Sequence, residues 1–122
     1  MMSKFREVIY VIVLQSKVGI GVPTTTDVNL PADTTSYVEQ VTRQFCEWFG
    51  GTTIDEKNGG YVTRDGQLVA EPIFWVISYC TTRQLETYLL QVMALAKTIC
   101  RELKQESVAV IVNSMMILVT EE

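Results

Sequence analysis

Histidine is absent from this 122-residue chain, and its absence removes more chemistry than any motif adds. Ser-His-Asp and Cys-His nucleophile pairs, histidine-ligated metals and the commonest general base all go with it. Positive charge is scarce as well. Ten Lys and Arg stand against fourteen Asp and Glu, a net charge of −4, and the basic residues are scattered singly. A nucleic-acid polymer needs a clustered basic footprint that releases counterions, so no such partner is expected. A small nucleotide remains open, since one phosphate is satisfied by about two or three local donors. The three cysteines, Cys46, Cys80 and Cys100, are far apart and odd in number. They read as small buried hydrophobes in a reducing cytoplasm rather than as a disulfide or zinc framework. No apolar run approaches the ~20 residues of a membrane span. Lys4 and Arg6 ahead of Val8–Leu14 imitate a signal peptide, but no small-residue cleavage site follows. The expectation is a soluble, cytoplasmic protein with no membrane partner, metal or cofactor.

What is present is apolar. Hydrophobic residues make up 48% and charged residues 20%, enough for one core, and the length predicts a single α+β domain over residues 1–122. Phe5–Leu14 reads as a strand buried on both faces, because its apolar residues fall on both parities from Val8 onward. A long Thr-rich loop is expected over 15–35. A helix follows, with Ser36 and Glu39 at capping-box spacing and Tyr37, Val41, Phe45, Trp48 and Phe49 as its apolar stripe. Gly50 and Gly51 stop it. Thr52 to Cys80 reads as a hairpin that turns at Asp65-Gly66, with Gly59-Gly60 as a bulge in the first arm. A second helix from Thr82 to about Gln105 has Thr81 and Gln84 as its cap. It buries Leu85, Leu89, Val92, Ala96, Ile99 and Leu103. Val108–Val119 is expected as one last strand.

The order β-α-β-β-α-β predicts a ferredoxin-like sandwich, an antiparallel sheet with two helices on one face. Two helices cover one face only, yet most of the strands are apolar on both. Leaving such a face wet exposes a patch of several hundred Å2, so a homodimer or higher oligomer formed through the open sheet face is expected. The alternative cover is the 15–35 loop folding over its own sheet.

Two stretches invite a ligand and decline it. Gly19-Ile20-Gly21-Val22-Pro23-Thr24 lacks the third glycine of a dinucleotide fingerprint, Pro23 removes a donor, and no helix starts there. These glycines are expected to let the chain leave the sheet and turn. Asp55-Glu56-Lys57-Asn58-Gly59 lacks the spacing of a calcium loop. Glu71 is more pointed. It shares parity with Ile73, Trp75 and Ile77, where a carboxylate is desolvated as general acids are, unless it pairs with Arg64 or Lys57 across the hairpin. Glu106 is placed at the close of the second helix, opposing its dipole, and calls for a partner such as Arg101 or Arg83.

Phe49-Gly50-Gly51-Thr52-Thr53, Gly60-Tyr61, Asp65-Gly66, Glu71 and Gln105-Glu106-Ser107-Val108 together resemble an uncharacterised family of small bacterial and phage-carried α+β domains. Tyr61 stands where that group usually has tryptophan. The resemblance implies no activity, but it marks Tyr61, Glu71, Gln105 and Glu106. The leading expectation is a non-enzymatic small-ligand-binding or assembly domain acting as a homo-oligomer, with any ligand at a subunit interface. One alternative is a phage-type inhibitor that sequesters a small nucleotide signal, with Tyr61, Arg64, Arg83 and the hydroxyls of Thr24, Thr25 and Thr26 as contacts. The other is a carboxylate-dependent enzyme of dimeric α/β-barrel type built around Glu71.

Overall fold

The computed structural model describes residues 11–25 and 33–121. Strand β1 (Ser16–Pro23) is followed by helix α1 (Thr35–Phe49), strands β2 (Thr53–Val62) and β3 (Leu68–Cys80) and helix α2 (Thr82–Glu102). Strands β4 (Val108–Val112) and β5 (Met115–Val119) complete the order. The strands form one antiparallel sheet, β2-β3-β1-β4-β5. The first four have the ferredoxin-like order expected from the sequence, with β1 and β3 central, and β5 is added at one edge.

One face of the sheet carries the core. Val18, Ile20 and Val22 of β1 are fully buried, as are Val76 of β3 and Val110 of β4. Register places Ile20 opposite both Val76 and Val110, so these side chains point the same way. Onto them pack Val41, Phe45 and Phe49 of α1 and Val92, Ala96 and Ile99 of α2. The helices are joined by stacked rings, Trp48 on Tyr88 with centroids 5.7 Å apart. Phe45 meets Phe49 edge to face at 5.3 Å. The capping box of Thr81 and Gln84 is formed in both directions.

Several expectations are corrected. Residues 5–10 of the expected first strand lie outside the described residues, and Val11–Leu14 are exposed and belong to no strand. The strand is Ser16–Pro23, inside the expected 15–35 loop. Its Val-Gly-Ile-Gly-Val alternation has period two, with the bulky residues facing the helices. The glycines do not make a turn. A Cβ on Gly19 would stand 3.0 Å from Ile77, and one on Gly21 3.0 Å from the Trp75 ring. Their bareness lets those two side chains lie across β1.

Helix α1 is capped differently from the expectation. Thr34 is its N-cap without a side-chain cap bond. Asp33 Oδ1 instead accepts from the Thr35 amide at 3.0 Å; the Thr35 side chain first and this amide second hold the Asp33 carboxyl below its ordinary value. Glu39 pairs with Arg43 one turn on. Strand β2 has no bulge at Gly59-Gly60, since its register with β3 is unbroken from Thr53 to Val62. Gly59 is bare because Ile73 lies over it; a Cβ there would be 2.5 Å from Ile73 Cδ1. The hairpin turn holds three residues, Arg64, Asp65 and Gly66. Gly66 sits at φ 85° and its amide donates to Thr63 O.

Val108–Val119 is two strands, folded back at Asn113-Ser114 with Asn113 at φ 55°. Asn tolerates the left-handed region that a tight hairpin needs. Cys46 is exposed, whereas Cys80 and Cys100 are buried as expected. Burial pushes both buried thiols above their ordinary value. No helix among the described residues is long and apolar enough to cross a membrane.

Candidate functional site

Three chain segments meet beyond the end of β1. Pro23 ends that strand, and Thr24 and Thr25 follow it toward β3. Thr24 Oγ1 donates to Pro72 O at 2.8 Å, and Thr25 Oγ1 donates to Glu71 Oε2. From the far side comes the segment after α2. That helix closes at Leu103, Lys104 takes φ 52°, and the chain turns so that Gln105 Nε2 donates to Thr25 O at 2.5 Å. Gln105 is itself anchored, its amide donating to Cys100 O at 2.9 Å and its carbonyl accepting from Cys100 Sγ at 3.1 Å. Glu71, Thr25 and Gln105 thus form one hydrogen-bonded chain across three elements.

Glu71 is 8% exposed. Among the described residues its carboxylate has no ion-pair partner: Lys57 pairs with Asp55 at 3.3 Å, and Arg43 with Glu39. The expected pairing of Glu71 with Arg64 or Lys57 is therefore replaced by a threonine hydroxyl. Burying a carboxylate beside a single neutral donor leaves a site short of positive charge.

Tyr61 lies on the same face. Glu71 stands opposite Gly59, and Tyr61, two residues further along β2, stands opposite Val69. That offset places the ring diagonally across from the carboxylate, within reach of a long side chain. Desolvation raises the Tyr61 phenol above its ordinary value, and the charges of Glu71 and Glu106 raise it further. Both carboxylates therefore bear electrostatically on one hydroxyl. Glu106 is exposed and lies past the end of α2, so its expected place in the last turn, opposing the dipole, is corrected. Neither Arg101 nor Arg83 forms an ion pair with it.

The site residues named from sequence are thus divided. Tyr61, Glu71 and Thr25 are brought together, with Thr24 beside them. Arg64 occupies the β2–β3 turn at the same end. Arg83 opens α2 just after Cys80, and nine residues of strand separate Glu71 from that point, roughly 30 Å. It does not join the others. The hydroxyls of Thr24 and Thr25 donate within the protein rather than standing free. Residue 26 lies outside the described residues. What the residues alone did not reveal is the bond from Gln105 to the main chain at Thr25, because no local pattern encodes a contact across eighty positions. A shallow hollow of about 380 Å3 at the opposite end of β1, lined by Leu14, Lys17, Tyr79 and Asn113, was not anticipated either.

No family model and no curated protein matches the sequence. Two solved structures share its fold. One is a phage SAM lyase in complex with S-methyl-5'-thioadenosine, with a TM-score of 0.65 and 21% identity, covering 92% of this chain and 94% of that one. The other is a phage SAM lyase in the apo state, with a TM-score of 0.58 and 22% identity over 86% of each chain. The uncharacterised phage-carried group that the motifs resemble is consistent with phage proteins as structural neighbours.

Proposed function

We propose that this protein binds an adenosyl sulfonium, S-adenosylmethionine, at the Tyr61–Glu71–Glu106 end of its sheet and cleaves it. The observation that carries this reading is the buried Glu71 carboxylate with no cation beside it among the described residues. A fold shared with a protein holding the corresponding thioether product supports it. A sulfonium is a fixed positive charge with no proton to donate, so it is recognised by carboxylates and by the face of a ring. Glu71 and Glu106 supply the first, and Tyr61 supplies the second.

The same arrangement disfavours the sequestered nucleotide. Phosphate requires donors, whereas this end of the sheet gathers carboxylates, and Arg83 is far from it. Cleavage breaks the bond between sulfur and the amino-acid Cγ, and its electron pair neutralises the sulfonium to give S-methyl-5'-thioadenosine. The four-carbon fragment compensates either by losing a Cβ proton or by closing on its own carboxylate; no water enters. In this scheme Glu71, fixed by Thr25 and through it by Gln105, holds and orients the charge.

The test is incubation with S-adenosylmethionine followed by mass spectrometry of the products, with proton NMR to tell the lactone from the isomeric alkene by its vinyl protons. S-Methyl-5'-thioadenosine should accumulate, and Glu71→Gln, which keeps an acceptor for Thr25, should slow its formation at least ~100-fold, a loss of about 2.7 kcal/mol of transition-state stabilisation, with little change in melting temperature. Absence of both turnover and calorimetric binding at millimolar ligand would end the proposal.

The open sheet face belongs to the same reading. Trp75, Ile77, Ile111, Met116 and Leu118 share it by register, beside Tyr61 and Glu71. A second copy laid on this face would exclude water from the site and wall its open side.

A further inference from the structure

Among the described residues, two that are not glycine take the left-handed backbone conformation, Asn113 at φ 55° and Lys104 at φ 52°. Asparagine tolerates it through its short polar side chain. Lysine takes it against a steric clash that glycine would avoid, and such strain gathers at functional sites. Lys104 follows Leu103, the C-cap of α2, at the position where glycine is the usual residue. The turn is otherwise regular. The Gln105 amide donates to Cys100 O at 2.9 Å, and the Lys104 amide to Arg101 O at 3.3 Å. The backbone therefore gives lysine no advantage there, and Arg101 already supplies the last turn of the helix with a cation.

Lys104 is exposed and forms no ion pair among the described residues. The residues that follow it belong to the site. Gln105 holds Thr25 O through its side-chain amide, and Glu106 carries a charge that bears on Tyr61. The Cα of Lys104 is about 4 Å from that of Gln105 and at most about 7 Å from that of Glu106. From there a flexible four-carbon stem carries the ammonium.

We propose that Lys104 binds the α-carboxylate of the substrate and makes the site selective for a sulfonium that carries one. This rests on the reading of the site as one for S-adenosylmethionine. That molecule brings two positive charges, the sulfonium and the α-ammonium, together with one negative charge. Glu71 and Glu106 attract the first two and repel the third, so the carboxylate calls for a cation of its own. Ammonium is a point charge that holds one carboxylate oxygen, whereas a guanidinium fork engages both. One oxygen then stays free, and the pairing is compatible with either fate of the four-carbon fragment. Arg64 is a further unpaired cation at this end, but it lies past the last strand pair, Val62 with Leu68, in the turn beside Asp65.

The experiment measures KM for S-adenosylmethionine and, in the same assay, the inhibition constant of decarboxylated S-adenosylmethionine. The inhibitor keeps both positive charges and lacks the carboxylate. Lys104→Gly removes the ammonium and relieves the backbone, so the melting temperature should not fall. KM should rise at least ~10-fold, the loss of one hydrogen bond between charged groups, while the inhibition constant does not rise. Lys104→Asn, neutral and tolerant of the same conformation, should match the glycine variant. An unchanged KM overturns the proposal. So does a KM that rises together with the inhibition constant, because that reports a distorted site rather than a lost carboxylate contact. A wild-type chain that neither cleaves nor binds S-adenosylmethionine ends the reading of the site, and this proposal with it. A wild-type chain that cleaves it, with Lys104→Gly behaving alike, ends the assignment of Lys104 alone.

Discussion

Glu71 and Tyr61 form an electrostatic pair that can be read without any ligand. Desolvation first, then the charges of Glu71 and Glu106, hold the Tyr61 phenol above its ordinary value. A raised phenol favours the folded state below its unfolded value of about pH 10 and loses that contribution as pH rises through the folded value. Neutralising Glu71 removes one of the causes. Glu71→Gln should therefore lower the Tyr61 pKa, leaving the parts due to desolvation and Glu106. The measurement is an ultraviolet difference titration, with Tyr61→Phe identifying which of the five tyrosines has moved. A curve unchanged by the substitution would separate the ring from the carboxylate. At this scale the sequence was informative where chemistry is local to a strand. The parity that set Glu71 among Ile73, Trp75 and Ile77 did place it in a desolvated setting. Its partner was not legible, because Thr25 lies on another segment, forty-six positions away.

Among the elements, the helices were the most readable, since their signals are periodic, but only α2 has the cap its spacing predicts. Thr81 accepts from the Gln84 amide while Gln84 Oε1 accepts from the Thr81 amide. Thr81→Ala breaks this exchange and should lower unfolding free energy by about 1 kcal/mol, measured by urea denaturation with no change in the m-value. A cost near zero would mean that water replaces the cap. The strands were harder. Val8–Leu14 is the more apolar tract, and hydrophobicity taken alone prefers it to Ser16–Pro23. What decides is the opposite face: Trp75 and Ile77 need bare backbone at Gly21 and Gly19 to lie across, and a tract without glycine gives none. The turn at Asn113-Ser114 is masked in the sequence by the apolar residues that flank it on both sides. Its cue was a single Asn able to take φ 55°.

At the scale of the whole molecule, both helices lie on one side of the sheet, and among the described residues no element covers the other. Trp75, Ile77 and Ile111 lie on the open side with the exposed Met116 and Leu118. At roughly 25 cal/mol per Å2 of apolar surface, covering such a face is worth several kcal/mol. Sedimentation should show the wild-type chain heavier than one subunit at micromolar concentration. Ile111→Arg, which places a charge on that face outside the site, should bring the mass down to that of a single subunit. A wild-type mass of one subunit throughout would mean that the open side is wet and the site has no second wall. The expectation of a covered face rested on the tract Val8–Leu14, of which the described residues, 11–14, belong to no strand; among the described residues the apolar surface of that side belongs to β3, β4 and β5.

The sequence by itself determined the two helices and the hairpin between them, the absence of histidine chemistry, and an apolar content large for one sheet with two helices. Periodicity, composition and capping act over a few residues and survive without the fold. Only the tertiary structure decided which tract became β1, that Val108–Val119 folds back on itself, and that Thr25, Glu71 and Gln105 share one hydrogen-bonded chain. Those outcomes depend on space between distant segments, such as the room beneath an indole ring or the reach of an amide across eighty positions. No stretch of chain specifies such space alone.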